Sequence, residues 1–73
     1  MIKVYADYRL YNTVTNHYID RGDTVNELSY FDDGNRIVLS DVKIKAIHYQ
    51  EVTLELPDNC KTILNIKDIE DWR

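Results

Sequence analysis

Leu28-Ser29-Tyr30-Phe31-Asp32-Asp33-Gly34-Asn35-Arg36-Ile37-Val38-Leu39 decides the fold. Two strand-like runs flank an Asp-Gly pair. Glycine takes a positive φ without steric cost, so Asp-Gly between such runs is a strong hairpin signal. The segment therefore reads as two antiparallel strands, over 24–31 and 36–39, joined by a tight turn.

The pattern continues toward the C-terminus. Ser40-Asp41 breaks the run, and the apolar parity shifts there, which implies a bend or bulge. Val42, Ile44 and Ala46 then alternate with Lys43 and Lys45. After a tight connection at 48–51, Val52, Leu54 and Leu56 alternate with Thr53 and Glu55. A period of two is the mark of a half-buried strand. Pro57-Asp58-Asn59-Cys60 is turn chemistry, and 61–66 reads as a further strand. In the tail, Ile66, Ile69 and Trp72 recur every third residue. That spacing suits one helical or 3-10 turn packing Ile69 and Trp72 onto the body of the protein.

Toward the N-terminus, Ile2, Val4, Ala6, Tyr8 and Leu10 alternate with Lys3, Tyr5, Asp7, Arg9 and Tyr11. The run reads as one long first strand. Residues 12–23 are polar and end in Arg21-Gly22-Asp23. They read mostly as a loop, with a short strand around 14–19. A connection of this length without regular structure is often functional.

The 73 residues make one domain, 1–73. The expected fold is an all-β meander of five or six strands closing into a small SH3-like or Sm-like barrel, with a short C-terminal turn. The expected core is Val4, Leu10, Leu28, Ile44, Val52, Leu54 and Ile66. Eight Ile, six Tyr and six Val supply the β-branched and aromatic mass that strands favour.

Nine basic and thirteen acidic side chains give a net charge of −4, which argues against a broad grip on a phosphate backbone. A lone cysteine, Cys60, forms no internal disulfide, which points to a cytoplasmic protein. No apolar h-region opens the chain, and no apolar run is long enough to span a membrane. Two histidines and one cysteine at scattered positions lack zinc-site spacing. The aspartates at turns lack the calcium-loop pattern. No cofactor, metal site or catalytic residue is expected.

The tyrosines are the most informative feature. Tyr5 and Tyr11 fall on the polar face of the first strand, and Tyr18 lies in the 12–23 segment. Exposed tyrosine is enriched in protein interfaces because it covers large area at low entropic cost. The expectation is a non-catalytic protein-binding module, with Tyr5, Tyr11, His17, Tyr18 and Arg21 as partner contacts. A composition rich in Ile, Asn, Asp, Lys and Tyr resembles that of proteins from AT-rich bacterial or phage genomes. By that resemblance the module would be a phage or mobile-element inhibitor of a host protein, of the anti-CRISPR kind. The alternatives are a small-barrel nucleic-acid or nucleotide binder, in which the tyrosines stack bases beside Lys3 and Arg9, and a structural homo-oligomer.

Overall fold

A computed structural model describes residues 1–73. It contains eight strands and one 3-10 turn: β1 (Ile2–Tyr5), β2 (Arg9–Asn12), β3 (His17–Asp20), β4 (Thr24–Asp32), β5 (Asn35–His48), β6 (Glu51–Glu55), β7 (Lys61–Asn65), the turn Ile66–Asp68, and β8 (Ile69–Trp72). They form two antiparallel sheets. The smaller has the order β1-β2-β3, and the larger has the order β7-β6-β5-β4-β8. The protein is all-β, as expected. Its ladders do not close into a barrel, because the outer strands β7 and β8 are not paired to each other.

The Asp33-Gly34 hairpin forms as the sequence indicates. Asp32 pairs with Asn35, and the two turn residues have φ of 50° and 80°. The bend at Ser40-Asp41 is also present, within one continuous fourteen-residue strand. Asp41 sits at φ 53°, and the inward side switches from Leu39 to Val42 with no slip in the β4–β5 register. A true bulge follows between Ile44 and Ala46 in the β5–β6 ladder. It turns Ile47 inward to 4% exposure and leaves Ala46 only half-buried.

Eight strands form where five or six were expected, and three expectations about them need correction. The first strand is not continuous. Residues 6–8 turn it back on itself, with Ala6 and Asp7 both at positive φ and Tyr8 N–H donating to the Tyr5 carbonyl at 3.2 Å. Val4 then pairs with Leu10. A three-residue loop preserves even–odd parity, so the alternation crosses the turn unbroken. Second, residues 12–23 are no long loop. A four-residue turn joins β2 to β3, and Asn12 pairs with His17 across it. Asn12 Oδ1 accepts the N–H groups of Val14 and Thr15, which explains why a polar run folds into a tight turn. Third, the expected 3-10 turn forms at Ile66–Asp68, but Ile69 and Trp72, buried as expected, lie beyond it in strand β8 along β4. A register shift between Ser29 and Tyr30 gives this strand its three-residue burial spacing.

The core runs through both sheets. Leu10 and Ile19 come from the small sheet, and Leu28, Val42, Ile44, Val52 and Leu54 from the large one, with Ile69 and Trp72 of β8 among them. Of the expected core residues, Val4 alone is half-buried, at the margin of this cluster. No helix is long and apolar enough to cross a membrane.

Candidate interaction face and the cleft behind it

The small sheet has two dissimilar faces. Paired residues in antiparallel strands point to the same side. Ile2, Val4, Leu10, Asn12, His17 and Ile19 therefore face the large sheet. Lys3, Tyr5, Arg9, Tyr11, Tyr18 and Asp20 face outward in two cross-strand rows, Tyr5–Arg9–Asp20 and Lys3–Tyr11–Tyr18.

The outward rows are tied together laterally. Tyr5 and Tyr11 meet edge to face, with ring centroids 5.9 Å apart at 74°. The Tyr11 hydroxyl donates to Asn16 Oδ1 at 2.9 Å. Arg9 donates from Nε and Nη2 to the two carboxylate oxygens of Asp20, at 2.6 and 3.1 Å. The same guanidinium lies 4.3 Å from the centre of the Tyr18 ring, a cation–π distance. Its hydrogen bond to Asp20 holds that carboxyl below its ordinary pKa. Tyr18 remains 57% exposed and Tyr5 42%. The face thus presents the exposed rings of Tyr5 and Tyr18 beside a half-buried Tyr11.

The structure brings Tyr5, Tyr11 and Tyr18 onto this one face. Arg21 lies beyond its edge, exposed in the turn between β3 and β4. That turn is pinned, since Arg21 N–H donates to Tyr8 and Gly22 N–H to Ile44, while Ile44 N–H donates to Asp23. His17 lies on the opposite side. Its Nδ1 is 3.2 Å from Asp71 Oδ1 and 3.1 Å from the Trp72 carbonyl oxygen. Both neighbours are acceptors, so the ring donates from Nδ1. Arg9, expected as a cation beside Tyr5 and Tyr11, takes its place between Tyr18 and Asp20 through a β2–β3 pairing that alternation within the chain does not reveal.

Behind the face, a cleft of about 1130 Å³ separates the small sheet from β8 and the β4–β5 hairpin. Ile2, Val4, Val38 and Ile69 line it, with Arg36 and Glu70 paired at 2.7 Å at its wall. Asn12, Thr15 and His17 cross it to β8, meeting Glu70, Asp71 and Trp72. No group of three or more His, Cys, Asp or Glu is placed to hold a metal ion. Cys60 is exposed, and the neighbouring Asp58 pushes its thiol pKa up, away from the thiolate that nucleophilic chemistry needs. Compared with known proteins, the chain matches no family model, no curated protein and no solved structure.

Proposed function

We propose that this chain is a non-catalytic binding module that engages a protein partner through the outward face of the β1–β2–β3 sheet. One observation carries the reading: Tyr5, Tyr11 and Tyr18 share one face, held by the Tyr5–Tyr11 edge contact, the Tyr11–Asn16 hydrogen bond and the Arg9–Tyr18 cation–π contact, with Tyr5 and Tyr18 exposed. Tyrosine and arginine dominate energetic hot spots in protein interfaces. Rings that are already ordered lose little further freedom on binding. Arg21 serves this face as a rim contact, and His17 contributes by holding β3 to β8.

The composition supports a phage or mobile-element inhibitor of a host protein, acting in the cytoplasm by occupying its target's surface. The bent five-stranded sheet, with a 3-10 turn before its last strand, supports a small barrel of the SH3-like or Sm-like kind left open between β7 and β8. Such folds host many functions, and it is the tyrosine face that singles out partner binding. A nucleic-acid binder is the second reading, favoured by the aromatic rows. Against it, Asp20 neutralises Arg9, which leaves Lys3 as the one unpaired cation in those rows.

Affinity capture from the source cell, followed by titration of the captured protein, tests the proposal. Tyr18→Ala and Tyr5→Ala should each weaken binding by at least about 1 kcal/mol with little change in melting temperature. Charge reversal at Asp32 and Asp33 that abolishes binding, with no effect from the tyrosine variants, would overturn the site. Salt-dependent oligonucleotide binding without a protein partner would favour the second reading.

A further inference from the structure

Two open sheets leave four strand edges, at β1, β3, β7 and β8. Unpaired edges template association with other chains, and proteins commonly blunt them. Three of the four are blunted here. On β3, the Asp20 N–H donates to Asp23 Oδ2 at 3.1 Å, and its carbonyl accepts the Asp23 N–H at 3.0 Å. On β8, the Glu70 carbonyl accepts from Asn12 Nδ2 and the Trp72 carbonyl from His17 Nδ1. On β1, Lys3 stands at the middle of the outward pattern, so a second copy paired about it would set lysine against lysine.

The β7 edge has no such device at its centre, its one lysine, Lys61, standing at the end of the strand. Leu56 N–H donates to the Cys60 carbonyl, and Ile66 N–H to the Gln50 carbonyl, at the two ends of the β6–β7 ladder. Backbone groups alternate sides along an antiparallel strand. Thr62 and Leu64 therefore bond to β6, and the peptide groups of Lys61 and Ile63 and the Asn65 N–H point outward. The strand pairs one-to-one with β6, without a bulge or proline. Ile63 at its centre is 60% exposed.

We infer that β7 is a self-association edge, on which a second copy of this chain pairs antiparallel about Ile63 to join the two five-stranded sheets. The register is self-complementary. Ile63 meets Ile63 of the second copy, and each Lys61 meets an Asn65. No like charges face each other. The rows extend the match: Glu55 pairs with Lys61 and Glu51 with Asn65 across β6–β7. After association, Lys61 stands between Glu55 of its own chain and, beyond the facing Asn65, Glu51 of the second copy. One five-residue edge falls well short of the roughly 1,200–2,000 Å² of a stable interface. The dimer is accordingly weak and grows with concentration. The tyrosine face lies in the other sheet and stays free in it.

Sedimentation equilibrium on the intact chain, up to about 1 mM, should show a reversible monomer–dimer equilibrium. The amide protons of Lys61 and Ile63 should become protected from exchange as dimer forms. Ile63→Lys should abolish the dimer without changing the circular dichroism spectrum, because this side chain is exposed. Lys61→Glu places an acid between Glu55 and Glu51 and should weaken the dimer by roughly 2- to 30-fold, from two symmetry-related rows at ordinary cross-strand strength. A chain that stays monomeric at about 1 mM, or a dimer unaffected by both substitutions, overturns the inference.

Discussion

Asn12 Nδ2 donates to the Glu70 carbonyl oxygen at 3.0 Å, joining the first hairpin to the last strand across 58 residues of chain. The same side chain accepts from Val14 and Thr15, and at 3% exposure it is one of two buried polar residues. Its amide needs both ends, donor toward β8 and acceptor toward the turn. Asn12→Ala should cost about 1–3 kcal/mol, the range for leaving buried polar groups unpaired. Asn12→Asp keeps the acceptor but turns a carboxylate toward Glu70 O and the Asp71 carboxylate. It should cost more than Asn12→Ala at neutral pH, and the excess should shrink on acidification as the new acid protonates. Denaturant titrations of both variants across pH check this; equal deficits at every pH would remove the donor from the account.

Arg9 holds the Asp20 carboxyl below its ordinary 3.8, and Arg36 holds Glu70 below its ordinary 4.5. A carboxylate depressed in the folded state contributes stability that is complete above its unfolded pKa. That contribution is lost as pH falls through the folded value. Unfolding free energy should thus stay level above these pKa values and decline below them. Asp20→Asn and Glu70→Gln should each flatten part of the decline. Both pairs are exposed, so the effect is modest and high salt should reduce it. An acid limb unchanged in both variants would show that these pairs are not its source.

Ala6 has a φ of 51° and no polar side chain to offset the left-handed conformation, which costs a non-glycine residue about 1–2 kcal/mol. Ala6→Gly should therefore raise stability, by about 1 kcal/mol once glycine's extra unfolded-state freedom is subtracted. Asp41, at φ 53° in the bend of β5, should reject a β-branched residue. Asp41→Val should destabilise although it raises strand propensity. Thermal melts of the two variants should move in opposite directions. A continuous first strand would instead make Ala6→Gly destabilising.

The bulge near Lys45 has a consequence of its own. A straight β5 would turn Ala46 inward and Ile47 outward, but Ile47 is 4% exposed and Leu54 fully buried. Ile47→Ala and Leu54→Ala should each cost about 2–5 kcal/mol. A near-neutral Ile47→Ala would refute the bulge.

Local chemistry made part of this fold legible in the sequence. Asp33-Gly34 specifies its turn by backbone sterics, and Val52 and Leu54 reveal their inward face by alternation. Asp41 betrays the bend because apolar parity changes around it. What stayed hidden was pairing that no local signal encodes. The turn at residues 6–8 keeps parity, so the run from Ile2 to Tyr11 reads the same as one strand or two. Strand β8 depends on the distant partner β4, and its three-residue spacing mimics a helical turn. At the site, alternation marked Tyr5 and Tyr11 as outward. His17 could be placed only once the β2–β3 register set it on the side of Asn12, facing β8.

Arg9 should prove a positioning residue for the tyrosine face. Its guanidinium spans Asp20 and Tyr18, at 2.6 Å from the carboxylate and 4.3 Å from the ring centre. A planar fork can grip both carboxylate oxygens while its charge lies over the ring, and an ammonium group has no such two-point grip. Arg9→Lys keeps the charge but gives up the two-point hydrogen bond that fixes the cation over the Tyr18 ring. Tyr18 would then sample other rotamers and lose part of its readiness to bind. The expected outcome has three parts. Partner affinity falls by about as much as in Tyr18→Ala, at about 1 kcal/mol or more. Combining the two substitutions adds little, because both remove one coupled contact. The Asp20 carboxyl returns toward its ordinary pKa, visible in its carbon-13 titration. A merely structural role for Arg9 would lower the melting temperature and leave affinity unchanged. Strictly additive losses in the double variant would show that Arg9 contacts the partner directly and does not act through Tyr18.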